Sequence, residues 1–436
     1  MILPYSLSNQ PPLFFQQFEG IPLFADKPNR LAGGRPPTIC DKDIIAGLAW
    51  HVMQPGGTYA NHITAFTGKR LSESALSERR QSLGTAPWLD ALDVFLKPIA
   101  DHRLHPHAFY KGLRLVGVDG TSLNVANTPP MKATVKKTKS RRGKSAFFRI
   151  GCVAAVELGT HGPLALRIGE NSESEAVLAA QVISCFTEED LMIADRYYGS
   201  GKWAARLLRT PGHPNFMLRV QERLNAATIR QLPDGSRLVR VIDPESGECI
   251  TLREIKAKVR RTGKSWVKVR FWTNLLDSER YPAHEMLRLY ALRWEQEIAF
   301  YEIKQHLHGK NLLLSHTNIT AVQEVCALFM AQAVITALRV GAASTYDIPI
   351  MQVSFARTLD MCRNLCWLLT IAKDILSQHQ IAQIAELAYQ NLARQISKPR
   401  RKRSCPRKVR QPVNKWPRLM KNDYEKGDFG YAIRKS

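Results

Sequence analysis

LRLVGVD (113–119) and LMIAD (191–195) are two short, almost wholly apolar runs, each closing on an aspartate. Runs of this length, rich in Leu, Val and Ile, read as strands buried on both faces. Each is followed by a turn of small, polar or aromatic residues, Gly120-Thr121-Ser122 and Arg196-Tyr197-Tyr198-Gly199. Between them GCVAAVEL (151–158) and LALRI (164–168) are further strand candidates, and Ser172 with Glu175 has capping-box spacing before EAVLAAQVI. Strands and helices in this order predict an α/β fold with a mixed core.

Moving outward, residues 211–280 hold short β-prone runs (FMLRV, RLVRVI, ITLREI, WVKVRFWTNLL) separated by turn signals such as Pro233-Asp234-Gly235. They predict a β-rich insertion. Helical periodicity returns over 283–308, 317–342 and 356–393. Upstream, Ile44, Ile45, Leu48 and Val52 share one helix face, and Leu89, Leu92, Phe95 and Leu96 another. This N-terminal helical module carries the basic pair Arg79-Arg80. It can hold DNA, or it can be a bundle that packs on the rest. Residues 1–40 are rich in Pro, Gly and polar residues, a poorly structured arm by composition. SKPRRKRSCPRKVR (397–410) is a run of positive charge with little to bury, so 397–436 reads as a disordered basic tail.

The 436 residues carry 62 Lys and Arg against 38 Asp and Glu, a net charge of +24. A field of that sign and size attracts polyanions, and nucleic acid is the expected partner. The segments 132–144 and 399–410 are the expected phosphate-contact arms. The eight cysteines form no CxxC pair and no zinc-finger spacing, and Cys362 and Cys366 sit one helical turn apart in an apolar stretch. That usage fits packing in a reducing compartment. The opening MILPYSLSNQ lacks a secretory pattern, and the apolar stretch 325–340 is interrupted by Gln332, Thr336 and Arg339. A cytoplasmic protein with no membrane partner is expected.

YALRWEQEIAFYEIK (290–304) is the segment richest in chemistry. On an ideal helix Tyr290, Arg293, Glu297 and Lys304 fall within an arc of roughly 60°. An exposed helix stitched by i,i+4 charge pairs has the same composition. With Asp119 and Asp195 at strand ends, however, Glu297 completes three carboxylates, a set of hard oxygen donors able to hold two divalent cations for phosphodiester chemistry. Arg293 and Lys304 are then placed to ground phosphates.

These residues resemble the DDE-class insertion-sequence transposases of the IS4-like branch, marked by a Tyr-x2-Arg-x3-Glu-x6-Lys signature. Tyr290, Arg293, Glu297 and Lys304 match it at every position. Four fixed residues at that spacing arise by chance in such a chain on the order of a few times in a thousand. VDGTSLNV (118–125) is similar to the family's first-aspartate strand and IADRYYGS (193–200) to its second. The β-rich stretch ending in WTNLL (272–276) resembles its insertion, and LSESALSERRQ (71–81) its N-terminal helical region.

The resemblance implies a ribonuclease H-like catalytic core over 111–210 and 281–345, interrupted by the β-rich insertion 211–280. A helical DNA-binding or packing domain (41–110) precedes it, and C-terminal helices (346–396) follow. It also implies that Asp119, Asp195 and Glu297 bind two Mg²⁺ ions (Mn²⁺ substituting), and that Tyr290, Arg293 and Lys304 handle phosphates. The reaction implied is nicking at terminal inverted repeats of double-stranded DNA and strand transfer into target DNA, by a homodimer, in a bacterial cytoplasm. Trp272 and Trp266 are the candidates for stacking on a flipped base. A nuclease or integrase of the same fold, or a non-catalytic DNA-binding remnant, are the alternatives.

Overall fold

A computed structural model of the chain describes residues 39–137, 139–140, 143–170, 173–259, 266–372 and 375–397. The expected N-terminal arm falls outside these apart from Ile39 and Cys40, as do nearly all of the basic tail, part of the basic loop at 132–144, and Ser172. Two units are distinguished. One takes in the described residues up to Ala257 and from Val269 to 397; the other, among the described residues, comprises 258–259 and 266–268.

The first unit opens with helices α1 (Asp41–Met53), α2 (Tyr59–Thr67), α3 (Glu73–Leu83) and α4 (Ala86–Phe95). Thr58 and Ser72 start α2 and α3 by accepting the amides of Asn61 and Ala75 at 3.2 Å. Strands β1 (Phe109–Tyr110) and β2 (Leu113–Val125) follow, then α5 (Pro129–Thr134), the short ribbon β3 (Lys139–Ser140) and β4 (Gly143–Lys144), and β5 (Phe148–Glu157) with β6 (Pro163–Ile168). Helix α6 (Glu175–Ile183) leads to β7 (Asp190–Ala194), and α7 (Gly201–Leu208) to β8 (Asn215–Arg219). After β9 (Ala227–Gln231), β10 (Arg237–Ile242), β11 (Cys249–Val259) and β12 (Val267–Thr273) the chain turns helical. Helix α8 (Ala283–Leu289) passes through a 3₁₀ turn, Tyr290–Arg293, into α9 (Trp294–Tyr301) and a π-helical stretch, Glu302–Leu307. Helices α10 (Asn318–Thr345), α11 (Phe355–Ala372) and α12 (Gln378–Arg394) complete it.

The strands form one sheet in the order β6-β5-β2-β7-β8-β12-β11-β10-β9, with β1 beside β2. β5 runs antiparallel to both β6 and β2, whereas β7 and β8 run parallel to β2. The region 211–280 therefore differs from expectation. Its first run, FMLRV, supplies β8 beside β7, and the strands that follow extend the same sheet. The β-prone composition is alike in both places, so only the pairing distinguishes core from insertion. LRLVGVD also continues past its aspartate, because β5 pairs with β2 from Val116 to Val125 through the polar Thr121, Ser122 and Asn124.

Alternation along β2 and β7 sends their side chains to opposite faces. Val116, Val118, Met192 and Ala194 meet α6 and α7 on one side. Leu115, Leu191 and Ile193 meet Tyr281, Met286 and the partly buried Tyr290 and Leu292 on the other. The largest cluster unites α1 to α4 with α10, α11, α12 and one end of β2 and β5. Of the two readings of the N-terminal helices, packing is the one this cluster carries. Arg79 pairs with Asp41 at 2.6 Å, and Arg80 donates to Gln323 Oε1 at 3.0 Å and to the Thr320 carbonyl at 3.1 Å. The apolar stretch 325–340 lies inside α10, which has the length and apolarity of a membrane span but is almost wholly buried by the rest of the fold.

A buried polar network fastens the α9 segment to α10. His161 bridges Glu302 (2.7 Å) and Glu295 (3.0 Å), and Arg339 of α10 meets Glu302 at 3.2 Å and the Val353 carbonyl at 2.8 Å. Burial opposes a charge on His161, but the two glutamates outweigh it and raise its pKa. Charges this deep are tolerated only when paired in this way.

Because Arg80 is committed to Gln323 and Thr320, Arg80→Ala should lower stability by about 1.5–3 kcal/mol. The salt dependence of DNA binding should be unchanged. Denaturant titration and salt-dependent binding check this; wild-type stability with a flatter salt slope would contradict it.

Candidate active site

Parallel pairing of β2 with β7 ends at Val118↔Ala194. Asp119 and Asp195 are therefore the next residues in register on adjacent strands, which lie about 4.8 Å apart. Both follow the odd-numbered face of their strands, the face covered by α8 and the segment after it. The Gly120 amide donates to Asp119 Oδ1 and the Tyr197 amide to Asp195 Oδ1, each at 2.8 Å, fixing both carboxyls. Burial raises the Asp119 pKa to about 6, with Asp195 and Glu175 adding to the rise and the Gly120 amide and Arg293 opposing it.

Gly117 is the reason α9 can lie so close. A Cβ there would meet Gln296 Oε1 at 2.6 Å and Leu158 Cδ2 at 2.7 Å. Gln296, fully buried, donates to the Ala154 carbonyl at 3.4 Å and seats the helix on β2 and β5. Glu297 is the next residue. Its carboxylate pairs with Arg293 Nη2 at 2.6 Å, while Arg293 Nη1 stands 3.9 Å from Asp119 Oδ2. Arg293 thus links the strand aspartate to the helix glutamate.

Lys304 lies in the π-helical stretch, so the ideal 100° step does not describe its direction. It lies within electrostatic range of the site: burial lowers its pKa, and Cys152 and Asp119 partly offset that. Tyr290 packs on Phe271 with ring centroids 4.5 Å apart, and Arg219 stands 5.9 Å from its ring. Burial raises the Tyr290 pKa against Arg293 and Arg219, with Asp195 close enough to add to it. The structure thus brings Asp119, Asp195, Arg293, Lys304 and Tyr290 into one neighbourhood, with Glu297 joined through Arg293. Among the described residues no three His, Cys, Asp or Glu side chains stand at metal-ligand spacing.

The sequence profile of the transposase DDE domain matches residues 110–334, which span both aspartate strands and the Glu297 helix. The chain belongs to the DDE transposase family. It is 28% identical over 283 residues to the transposase InsG for insertion sequence element IS4 of Escherichia coli (strain K12). That match covers 62% of this chain and 62% of the relative, so it spans about three fifths of the relative's length.

Of the two tryptophans in this DDE transposase with an expected stacking role, Trp272 is 1% exposed. Its indole N–H donates to Glu254 at 3.2 Å, and Arg270 lies over its ring at 5.2 Å. Stacking on a base needs a free ring face, so the expectation for Trp272 is corrected: it is a core residue of β12. Trp266 is 62% exposed and lines, with Lys258 and Lys268, a cavity of about 660 Å³ within the second unit.

Sequence reasoning also overlooked Glu175, read there only as a helix-start residue. It is the first residue of α6, and Ser174 before it makes no side-chain cap. Its carboxyl lies over Gly120, where a Cβ would meet its Cδ at 2.5 Å. Tyr198, fully buried, donates to its Oε1 at 3.4 Å. No spacing rule connects residue 175 with 119; only the glycine following the aspartate hints at a close neighbour.

Asp119 titrates near 6 in the folded protein against 3.8 in the open chain, so folding favours its protonated form. The stability it contributes is present below 3.8 and lost as the pH rises through about 6. In metal-free buffer Asp119→Asn should therefore be more stable than wild type at pH 8, by about 1–2 kcal/mol once solvent screening is allowed for. That gain should fade toward pH 4. A variant no more stable than wild type at pH 8 would contradict the crowding of carboxylates.

Proposed function

We propose that the chain cuts DNA at transposon terminal inverted repeats and joins the freed ends to target DNA by two-metal-ion chemistry, a cut-and-paste transposase. One observation carries the reading. In a DDE-family chain, two aspartates stand side by side where adjacent parallel strands part, under the helix that carries Glu297. The central order β6-β5-β2-β7-β8, three antiparallel strands followed by two parallel ones, supports a ribonuclease H-like core, with β9 to β12 as the insertion.

The donors suit the cations such chemistry uses. Asp119, Asp195 and Glu297 offer carboxylate oxygens, the ligands preferred by Mg²⁺ and Mn²⁺. Two such ions, when bound, activate the attacking water or 3′-hydroxyl and stabilise the leaving oxygen. The chain's own groups handle the rest. Asp119 and Asp195 hold their side of the site through the amides of Gly120 and Tyr197. Arg293, a planar fork now spent on Glu297, exchanges that carboxylate for phosphate oxygens when DNA arrives, and Glu297 is released toward the two aspartates. Lys304 adds a point charge and Tyr290 a hydroxyl donor to the same phosphates.

The net charge of +24 draws the DNA in, and a homodimer holds the two ends together. Trp266, exposed between two lysines, is the residue we assign to base stacking.

The test is cleavage of a labelled duplex carrying the element's terminal repeat, with Mg²⁺. Wild type should nick at the repeat boundary. Asp119→Ala, Asp195→Ala and Glu297→Ala should bind the duplex and fall to the metal-free background. Variants that cut as well as wild type would remove the triad. Binding without any cutting by wild type would point to a DNA-binding protein instead.

A further inference from the structure

We propose that Glu175 is a fourth metal-binding carboxylate of this centre, reaching it from the opposite face of the sheet. The proposal rests on the two-metal reading above and adds a residue outside its triad. Three observations lead to it.

The first is position. β2 loses β7 as a neighbour after Val118, and Gly120 comes immediately after Asp119. The Glu175 carboxyl occupies the space a Gly120 side chain would take, with its Cδ, Oε2 and Oε1 at 2.5, 2.7 and 2.9 Å from the place of that Cβ. Any larger residue at 120 would push the carboxylate away from Asp119. Helix α6, which carries it, is locked against Val116 and Val118 of the same strand by Leu178, Ala179 and Val182. The placement is therefore set by packed elements, not by a loop.

The second is the company Glu175 keeps. Of the buried glutamates elsewhere in the fold, Glu157 is matched by Arg114, Glu254 by Arg237 and Arg270, and Glu302 by Arg339, while Glu324 accepts short hydrogen bonds from Leu314 and Ser315. Among the described residues Glu175 has no ion pair. Its hydrogen bond is the long one from the Tyr198 hydroxyl, at 3.4 Å. Asp119 and Asp195 lie within electrostatic range of it. In a chain of net charge +24, a half-buried carboxylate placed against two others and left without a basic partner is a group awaiting a cation. The amides at the start of α6 offer a fraction of a charge, too little to balance three carboxylates.

The third is the state of Glu297. It is paired with Arg293 at 2.6 Å. In the protein without DNA, the carboxylates within electrostatic range of Asp119 are Asp195 and Glu175, while Glu297 is held by Arg293. Glu175 therefore supplies a ligand for the first ion before Arg293 releases Glu297.

Mn²⁺ binding to the full-length protein without DNA, followed by electron paramagnetic resonance, tests this. Glu175→Gln keeps shape and the Tyr198 contact but removes the charge. It should weaken binding of one Mn²⁺ by ~10-fold or more, while its metal-free melting temperature stays equal to or above that of wild type. Tyr198→Phe should bind Mn²⁺ as wild type does, which separates metal binding from mere support of the tyrosine. Asp119→Asn, measured alongside, should lose binding. If Asp119→Asn loses Mn²⁺ and Glu175→Gln does not, Glu175 is no ligand and the triad reading survives. Loss by Tyr198→Phe equal to that by Glu175→Gln would likewise overturn the proposal by making the role structural. If wild type binds no Mn²⁺, the proposal and the two-metal reading fail together.

Discussion

Two carboxylates forced side by side where β2 and β7 part company are the constraint on which the rest of the molecule depends. In water such a pair costs little; in a half-buried cleft, burial first and Asp195 after it raise the pKa of Asp119 to about 6. Everything around it holds the pair in place without neutralising it. The amides of Gly120 and Tyr197 fix the two carboxyls from below. Gly117 lets α9 approach on one face, and Gly120 lets Glu175 approach on the other. A site assembled under this repulsion carries uncompensated carboxylate charge built into its fold, at some expense of stability.

The distribution of arginines shows how selectively that tension is kept. Arg253, wholly buried, ties Asp234 to the carbonyls of Leu275 and Tyr281 and fastens the base of the insertion to the start of α8. Arg270 and Arg237 do the same for Glu254, and Arg339 for Glu302 behind the Glu297 helix. These pairs make the frame rigid. At the centre Arg293 is shared between Asp119 and Glu297, at 3.9 and 2.6 Å. The same chemistry that closes the frame is left incomplete at the centre, where the proposed function places phosphate.

Much of this was legible in the sequence, for reasons that differ by element. The aspartate strands announce themselves because a buried strand needs an unbroken apolar run, and 113–118 and 191–194 supply one. The signature over 290–304 is legible because helix geometry converts spacing into proximity, although the π-helical turn at 302–307 breaks the ideal step. Other features are tertiary and leave no local mark. β2 continues through Thr121 and Ser122 because β5 pairs with it, not because those residues favour a strand. FMLRV joins the central sheet rather than the insertion, a choice of partner that composition does not encode. Trp266 and Trp272 look equivalent in the sequence, yet one is exposed and the other sealed under Arg270. Arg79 and Arg80, a basic pair on paper, are spent on Asp41, Gln323 and Thr320.

The most direct test of the central claim is to locate the ions themselves. A crystal of the protein with a terminal-repeat duplex and Mn²⁺ should show anomalous scattering from an ion shared by Asp119 and Asp195, with oxygens about 2.1–2.2 Å away. Glu297 should have turned from Arg293 to a second ion. Manganese bound elsewhere, with Asp119 and Asp195 free of metal and Glu297 still on Arg293, would contradict the account.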